Sequence, residues 1–188
     1  PEGLYFTKVG TQPGSLPGLW TVGLKSGPAR PVRASGVPLE EGWWWVDGGA
    51  AWGLSAAVPG VAQTLTRLDL ATGAAAVWLR QPGASVSVLG FDAGAHPVVE
   101  IATGGAAPAL AEIAVLTSPE KGTRIYTRGS GPRMPVPLDS VSDRHGLWLG
   151  AVDGSVWLYT RKEGLRKVAE LPAGAAGASF VRVAGPCA

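Results

Sequence analysis

At 188 residues the chain is one domain, or two at most, and with 46% apolar and 16% charged residues it is no disordered, solvating segment. A formal net charge of +2, with no clustered Lys/Arg stripe, argues against a nucleic-acid partner. No apolar run approaches the roughly 18–20 residues of a membrane-spanning helix, and two His with one Cys leave little for a metal site and nothing for an internal disulfide.

Gly and Pro, 28 and 16 residues, punctuate short β-branched and aromatic bursts, and this pattern reads as strands joined by tight turns. In chain order the expected strands are 3–8, 18–24 and 29–33, then 42–47, 51–56, 65–70 and 75–80. They continue with 86–91, 97–103, 111–117 and 123–128, then 138–142, 146–151, 155–160 and 165–170, and end with a lone segment, 178–184. Only residues 108–116 invite a helix, and Ile113-Ala114-Val115-Leu116 suits a strand equally well. The fold class is all-β.

Two markers recur along this list. A hairpin-closing turn ends at Gly27, Gly73, Gly122 and Gly164, at spacings of 46, 49 and 42 residues. Upstream of it a strand runs into an Asp/Gly turn at Asp47, Asp92 and Asp143, spaced by 45 and 51 residues. Two markers in constant order define four strands per unit, and a period of about 40–50 residues with four strands describes a β-propeller blade. The N-terminus supplies three strands and the C-terminus one, so 178–184 is expected to complete the first blade and close a ring. The expected architecture is one four-bladed propeller over 1–188, with blades at 1–36 plus 178–184, 37–83, 84–131 and 132–174. Closure by a terminal strand removes an exposed sheet edge.

Asp143-Arg144-His145-Gly146-Leu147-Trp148-Leu149-Gly150, followed by Asp153-Gly154-Ser155-Val156-Trp157-Leu158-Tyr159, resembles the propeller repeat of two-component-regulator sensors, and streptogramin-lyase-type propellers carry a similar unit. Leu65-Thr66-Arg67-Leu68-Asp69-Leu70-Ala71-Thr72-Gly73 is similar to a strand-and-turn of many bacterial propellers. Leu4-Tyr5-Phe6-Thr7 with Leu19-Trp20-Thr21-Val22 resembles TolB-like repeats. These resemblances imply a bacterial repeat protein of propeller architecture, a fold that hosts sensors, scaffolds, lectins and enzymes alike. With two His, the chain has too few to carry the catalytic histidines of the lyase-like enzymes.

The candidate sites each have two readings. Trp43, Trp44 and Trp45 alternate across a strand, either as packing between blades or as an aromatic platform for a sugar or quaternary ligand. Asp47, Asp92 and Asp143 fall at equivalent strand ends. Each either caps its own turn through backbone N–H groups or joins the others at a channel rim, where a hard cation such as calcium would find oxygen ligands. Trp148 and Trp157 read as blade packing, His96 and His145 as loop histidines, and Cys187 as a free thiol or an attachment point.

The expected function is a non-enzymatic, extracytoplasmic recognition or sensor-type module presenting loops to a protein or small ligand, with no cofactor. The alternatives are a hydrolase or lyase drawing on Asp47, Asp92, Asp143 or His145, and half of a larger ring built by two chains or by a longer parent. The chain starts at Pro1 with no Met, basic n-region or apolar h-region, which reads as a removed targeting segment or an excised piece.

Overall fold

In a computed structural model of the chain the described residues are 3–8, 18–25, 27–32, 43–47, 49–103, 110–127, 137–151 and 153–170. Among them there is no helix, and hence none long and apolar enough to cross a membrane. The strands are β1 (Gly3–Lys8), β2 (Gly18–Gly23), β3 (Arg30–Pro31), β4 (Trp43–Asp47), β5 (Ala50–Leu54), β6 (Gln63–Asp69), β7 (Ala75–Gln81) and β8 (Ala84–Phe91). They continue as β9 (Pro97–Thr103), β10 (Leu110–Ser118), β11 (Lys121–Thr127), β12 (Pro137–Asp143), β13 (Gly146–Ala151), β14 (Ser155–Thr160) and β15 (Gly164–Glu170). Of the ambiguous 108–116 region the described residues, 110–116, are strand, within β10. Residues 178–184 and Cys187 lie outside the described residues.

The strands form four antiparallel meanders, β1-β2-β3, β4-β5-β6-β7, β8-β9-β10-β11 and β12-β13-β14-β15. This arrangement is compatible with a propeller-like all-β fold. The three four-stranded sheets share a detail that the residue types do not announce. A register shift falls between third and fourth strands each time, at Leu65/Thr66, Ile113/Ala114 and Val156/Trp157. Such bulges increase local strand twist.

The chain divides into two compact units, Pro1–Gly83 and Ala84–Ala188. In the first, cross-strand register puts Tyr5 and Leu19 on one face of the β1–β3 sheet. That face packs on Ala51, Leu68 and Ala75 of the second sheet and on Leu70 just past β6. The opposite face carries Leu4, Phe6, Trp20, Val22 and Pro31, of which Leu4 and Phe6 are 58% and 37% exposed. On the second sheet Trp52 is buried, meets Trp78 edge-to-face at 4.7 Å and lies under the Arg67 guanidinium. An aromatic pair of this geometry adds about 0.5–1.5 kcal/mol beyond its area.

In the second unit two sheets meet face to face around Val98, Ile113, Val115, Leu147, Leu149, Ala151, Trp157 and Tyr159. Burying side chains of this size contributes roughly 1.5–3 kcal/mol each, so this cluster dominates the unit. A bulge at Val88/Gly90 turns backbone groups of β8 away from β9. Serines of β12 collect them: Ser140 Oγ donates to the Leu89 carbonyl, and the Phe91 N–H donates to Ser142 Oγ at 2.8 Å. The approach is close enough to require glycine at position 90. A Cβ there would fall 2.6 Å from Leu147 Cδ1 and 2.7 Å from Ser142 Oγ, with φ at +150°.

Candidate functional site

The recurrent chemical feature is an aspartate at or just past the end of a strand whose Oδ1 gathers donors of its own turn. Asp69 Oδ1 accepts from the N–H groups of Ala71 (3.0 Å) and Thr72 (2.9 Å) and from the Thr72 hydroxyl (3.0 Å), before Gly73 closes the turn at φ +73°. Asp143 Oδ1 accepts from His145 (2.7 Å) and Gly146 (3.2 Å). Asp153 Oδ1 accepts the backbone N–H and the hydroxyl of Ser155, and the Trp157 indole N–H donates to that same hydroxyl oxygen at 2.8 Å. The Asp153-Gly154-Ser155-Val156-Trp157 run is therefore one hydrogen-bonded chain, and it explains how a largely buried indole keeps its N–H satisfied.

These bonds hold the carboxylates ionised. At Asp69 the Thr72 backbone and hydroxyl dominate and pull the carboxyl below its ordinary value of 3.8. Burial pushes Asp143 up, but the His145 N–H, the Trp148 indole, the Gly146 N–H and the electrostatic pull of the His145 ring together outweigh it, and the net shift is downward. Asp153 behaves alike, burial being outweighed by the Ser155 hydroxyl and N–H and by Lys167. Donors to the charged form favour that form.

Asp92 differs in depth. Its side chain is 1% exposed, and Oδ1 accepts from the N–H groups of Gly94 (2.8 Å) and His96 (2.9 Å) while also bonding His96 Nδ1 at 2.9 Å. No hydrogen bond reaches Oδ2, which faces Arg161 Nε at 3.4 Å across the sheet junction. Tyr159, buried on β14, registers both charges: burial and then Asp92 raise its hydroxyl above the ordinary 10.0, and Arg161 offsets part of the rise. The turn is backbone-strained at Ala95, whose φ is +58°. Gly94 lies close to the His96 ring, and a Cβ there would fall 2.8 Å from it, so the ring would have to shift.

Asp92 and Asp143 thus each commit Oδ1 to their own turn. Asp47 ends β4 opposite Ala50 and is half-buried. Among the described residues no three His, Cys, Asp or Glu side chains are grouped so as to hold a metal ion. Trp43, Trp44 and Trp45 lie on β4 opposite Leu54, Gly53 and Trp52, which puts Trp43 and Trp45 on one face; Trp45 is half-buried. His145 is exposed and accepts from Arg144 Nε at 3.2 Å.

His96 is the departure. Read as a loop histidine, it is tied to a buried carboxylate and is 22% exposed. The visible signal was the i, i+4 spacing of Asp92 and His96 within one turn. Arg161, nearly seventy residues away, carried none. Compared with known proteins, the chain matches no family model, no curated protein and no solved structure.

Proposed function

We propose that this chain is a non-enzymatic recognition module, a stiff set of β-meanders presenting rigid turns to a protein or small ligand outside the cytoplasm. The observation that carries this reading is the shared use of aspartate. Asp69, Asp92, Asp143 and Asp153 each commit Oδ1 to two or more donors of their own turn. A carboxylate so engaged fixes loop shape, whereas a general acid or base needs an oxygen within reach of a substrate proton. The test is a surface displaying the full chain, screened against glycan and peptide panels with product analysis of every hit. Saturable capture with the ligand returned unchanged is expected. Turnover abolished by Asp92→Asn or His145→Ala would sink the reading and favour the hydrolase or lyase alternative.

The same proposal includes ring closure of a four-bladed bacterial propeller by residues 178–184. Its support is threefold: the 42–51-residue recurrence, the bulge repeated in three sheets, and the β1 edge that no described strand pairs, beside exposed Leu4 and Phe6. Light scattering of the full chain decides between self-closure, at 19.2 kDa, and a two-chain ring at twice that mass.

A further inference from the structure

Asp92 holds the His96 imidazole and the Arg161 guanidinium by their inner atoms and leaves their outer atoms uncommitted. Oδ1 takes His96 Nδ1 at 2.9 Å, and Oδ2 faces Arg161 Nε at 3.4 Å. The carboxylate itself is buried, at 1% exposure. The two side chains it anchors are 22% and 55% exposed, and neither makes another polar contact among the described residues. His96 Nε2 and the two terminal guanidinium nitrogens therefore remain as unspent donors when the imidazole is charged. His96 is fixed further by the Gly94 surface under its ring and by the φ of +58° at Ala95.

We propose that His96 and Arg161 form a binding site for an oxyanion, the carboxylate or phosphate group of a small ligand, with Asp92 as the buried positioning residue. With His96 charged, the cluster of His96, Arg161 and Asp92 carries one net positive charge. Its negative member is hidden and its positive members face water. Tyr159, the titratable side chain beneath them on β14, is neutral near neutral pH. Donors held in place before the ligand arrives lose little entropy on binding, and guanidinium nitrogens match an oxyanion in a planar fork. All four residues lie within the unit Ala84–Ala188. The inference goes beyond the recognition reading and is independent of ring closure.

The test titrates the full chain with sodium phosphate and, separately, sodium acetate at constant ionic strength near pH 6. Binding is read from the ring protons of His96, one of two histidines, and from backbone amides. Saturable shifts at His96 and Arg161, with a Kd on the order of 1 mM, are expected for at least one anion. Phosphate alone marks a phosphoryl ligand, and acetate alone marks a carboxylate. Arg161→Lys keeps the charge and loses the fork, so it should weaken binding at least tenfold, while Lys162→Gln should leave it within twofold. Asp92→Asn separates positioning from plain attraction, because removing a negative charge strengthens a diffuse anion site but weakens one that Asp92 organises. An amide spectrum shows whether that variant is folded, and Arg161→Lys decides if it is not. Shifts that never saturate, equal loss in Arg161→Lys and Lys162→Gln, or tighter binding by folded Asp92→Asn would each overturn the proposal.

Discussion

The two units solve one problem, holding a pair of meander sheets face to face, with different chemistry. In Pro1–Gly83 the fully buried junction residues are Leu19, Ala51 and Leu68, small in total volume, and the largest buried side chain, Trp52, packs with Trp78 of its own sheet. In Ala84–Ala188 the junction has eight buried side chains, including Trp157 and Tyr159, and polar bonds cross it from Ser140, Ser142 and Arg161. Apolar contacts tolerate small slides, whereas hydrogen bonds to bulged backbone groups specify one alignment. The second unit is accordingly the more tightly specified of the two, and it is also where the buried Asp92 organises exposed groups.

The largest expected effect in the second unit comes from Gly146→Ala. At φ +143° the new Cβ would collide with the Tyr159 carbonyl oxygen, a backbone atom that cannot step aside. A loss of roughly 3 kcal/mol or more, with collapse of amide protection in β13 and β14, is the outcome to look for by hydrogen exchange. Next come matched truncations. Leu147→Ala should cost about 3–4 kcal/mol because its bulky neighbours cannot close the cavity, and Leu68→Ala, beside Ala51 and Ala75, should cost nearer 2–3. Equal losses from the two denaturant curves would erase the contrast between the units.

Ser142→Ala tests the polar seam by leaving the Phe91 N–H without its acceptor. A destabilisation of about 1–2 kcal/mol, with faster exchange at Phe91, is expected; an unchanged midpoint would assign the seam no energetic role. Acid acts on the turn caps with a definite sign. The folded Asp143 carboxyl lies below its ordinary 3.8, so its contribution is complete above about pH 5 and is lost as the pH falls through 3.8 toward the lower folded value. Asp143→Asn should remove that part of the acid dependence and speed exchange at His145 and Gly146. The smallest effect is spectroscopic. One of three tyrosines should ionise late in alkali, and Asp92→Asn should bring it earlier by removing the second-largest cause of the upward shift at Tyr159.

Much of this fold was legible from local chemistry. Strands 97–103, 146–151 and 155–160 coincide with β9, β13 and β14, because a β-branched or aromatic burst between Gly and Asp offers the backbone few other options. The caps at Asp92 and Asp143 were equally local: an Asp that ends a strand can satisfy N–H groups of the turn just after it whatever the rest of the chain does. The 108–116 stretch was not legible, since Ile113-Ala114-Val115-Leu116 serves either period. The pairing of Ala111 with Ala102 and of Ile113 with Glu100 across to β9 settled it as strand.

Sequence by itself therefore determined the all-β class and the strand spacing, and it offered turn capping as one of two readings for Asp92 and Asp143, since each depends on neighbours within a few residues. Tertiary structure decided the rest. Only the stacking of the two sheets in Ala84–Ala188 brings Arg161 to Asp92, Ser142 to Phe91 and Leu147 against Gly90. Contacts between residues some fifty to seventy positions apart leave no periodic trace. They exist because burial brings the two faces together and directionality then selects the groups that can bond.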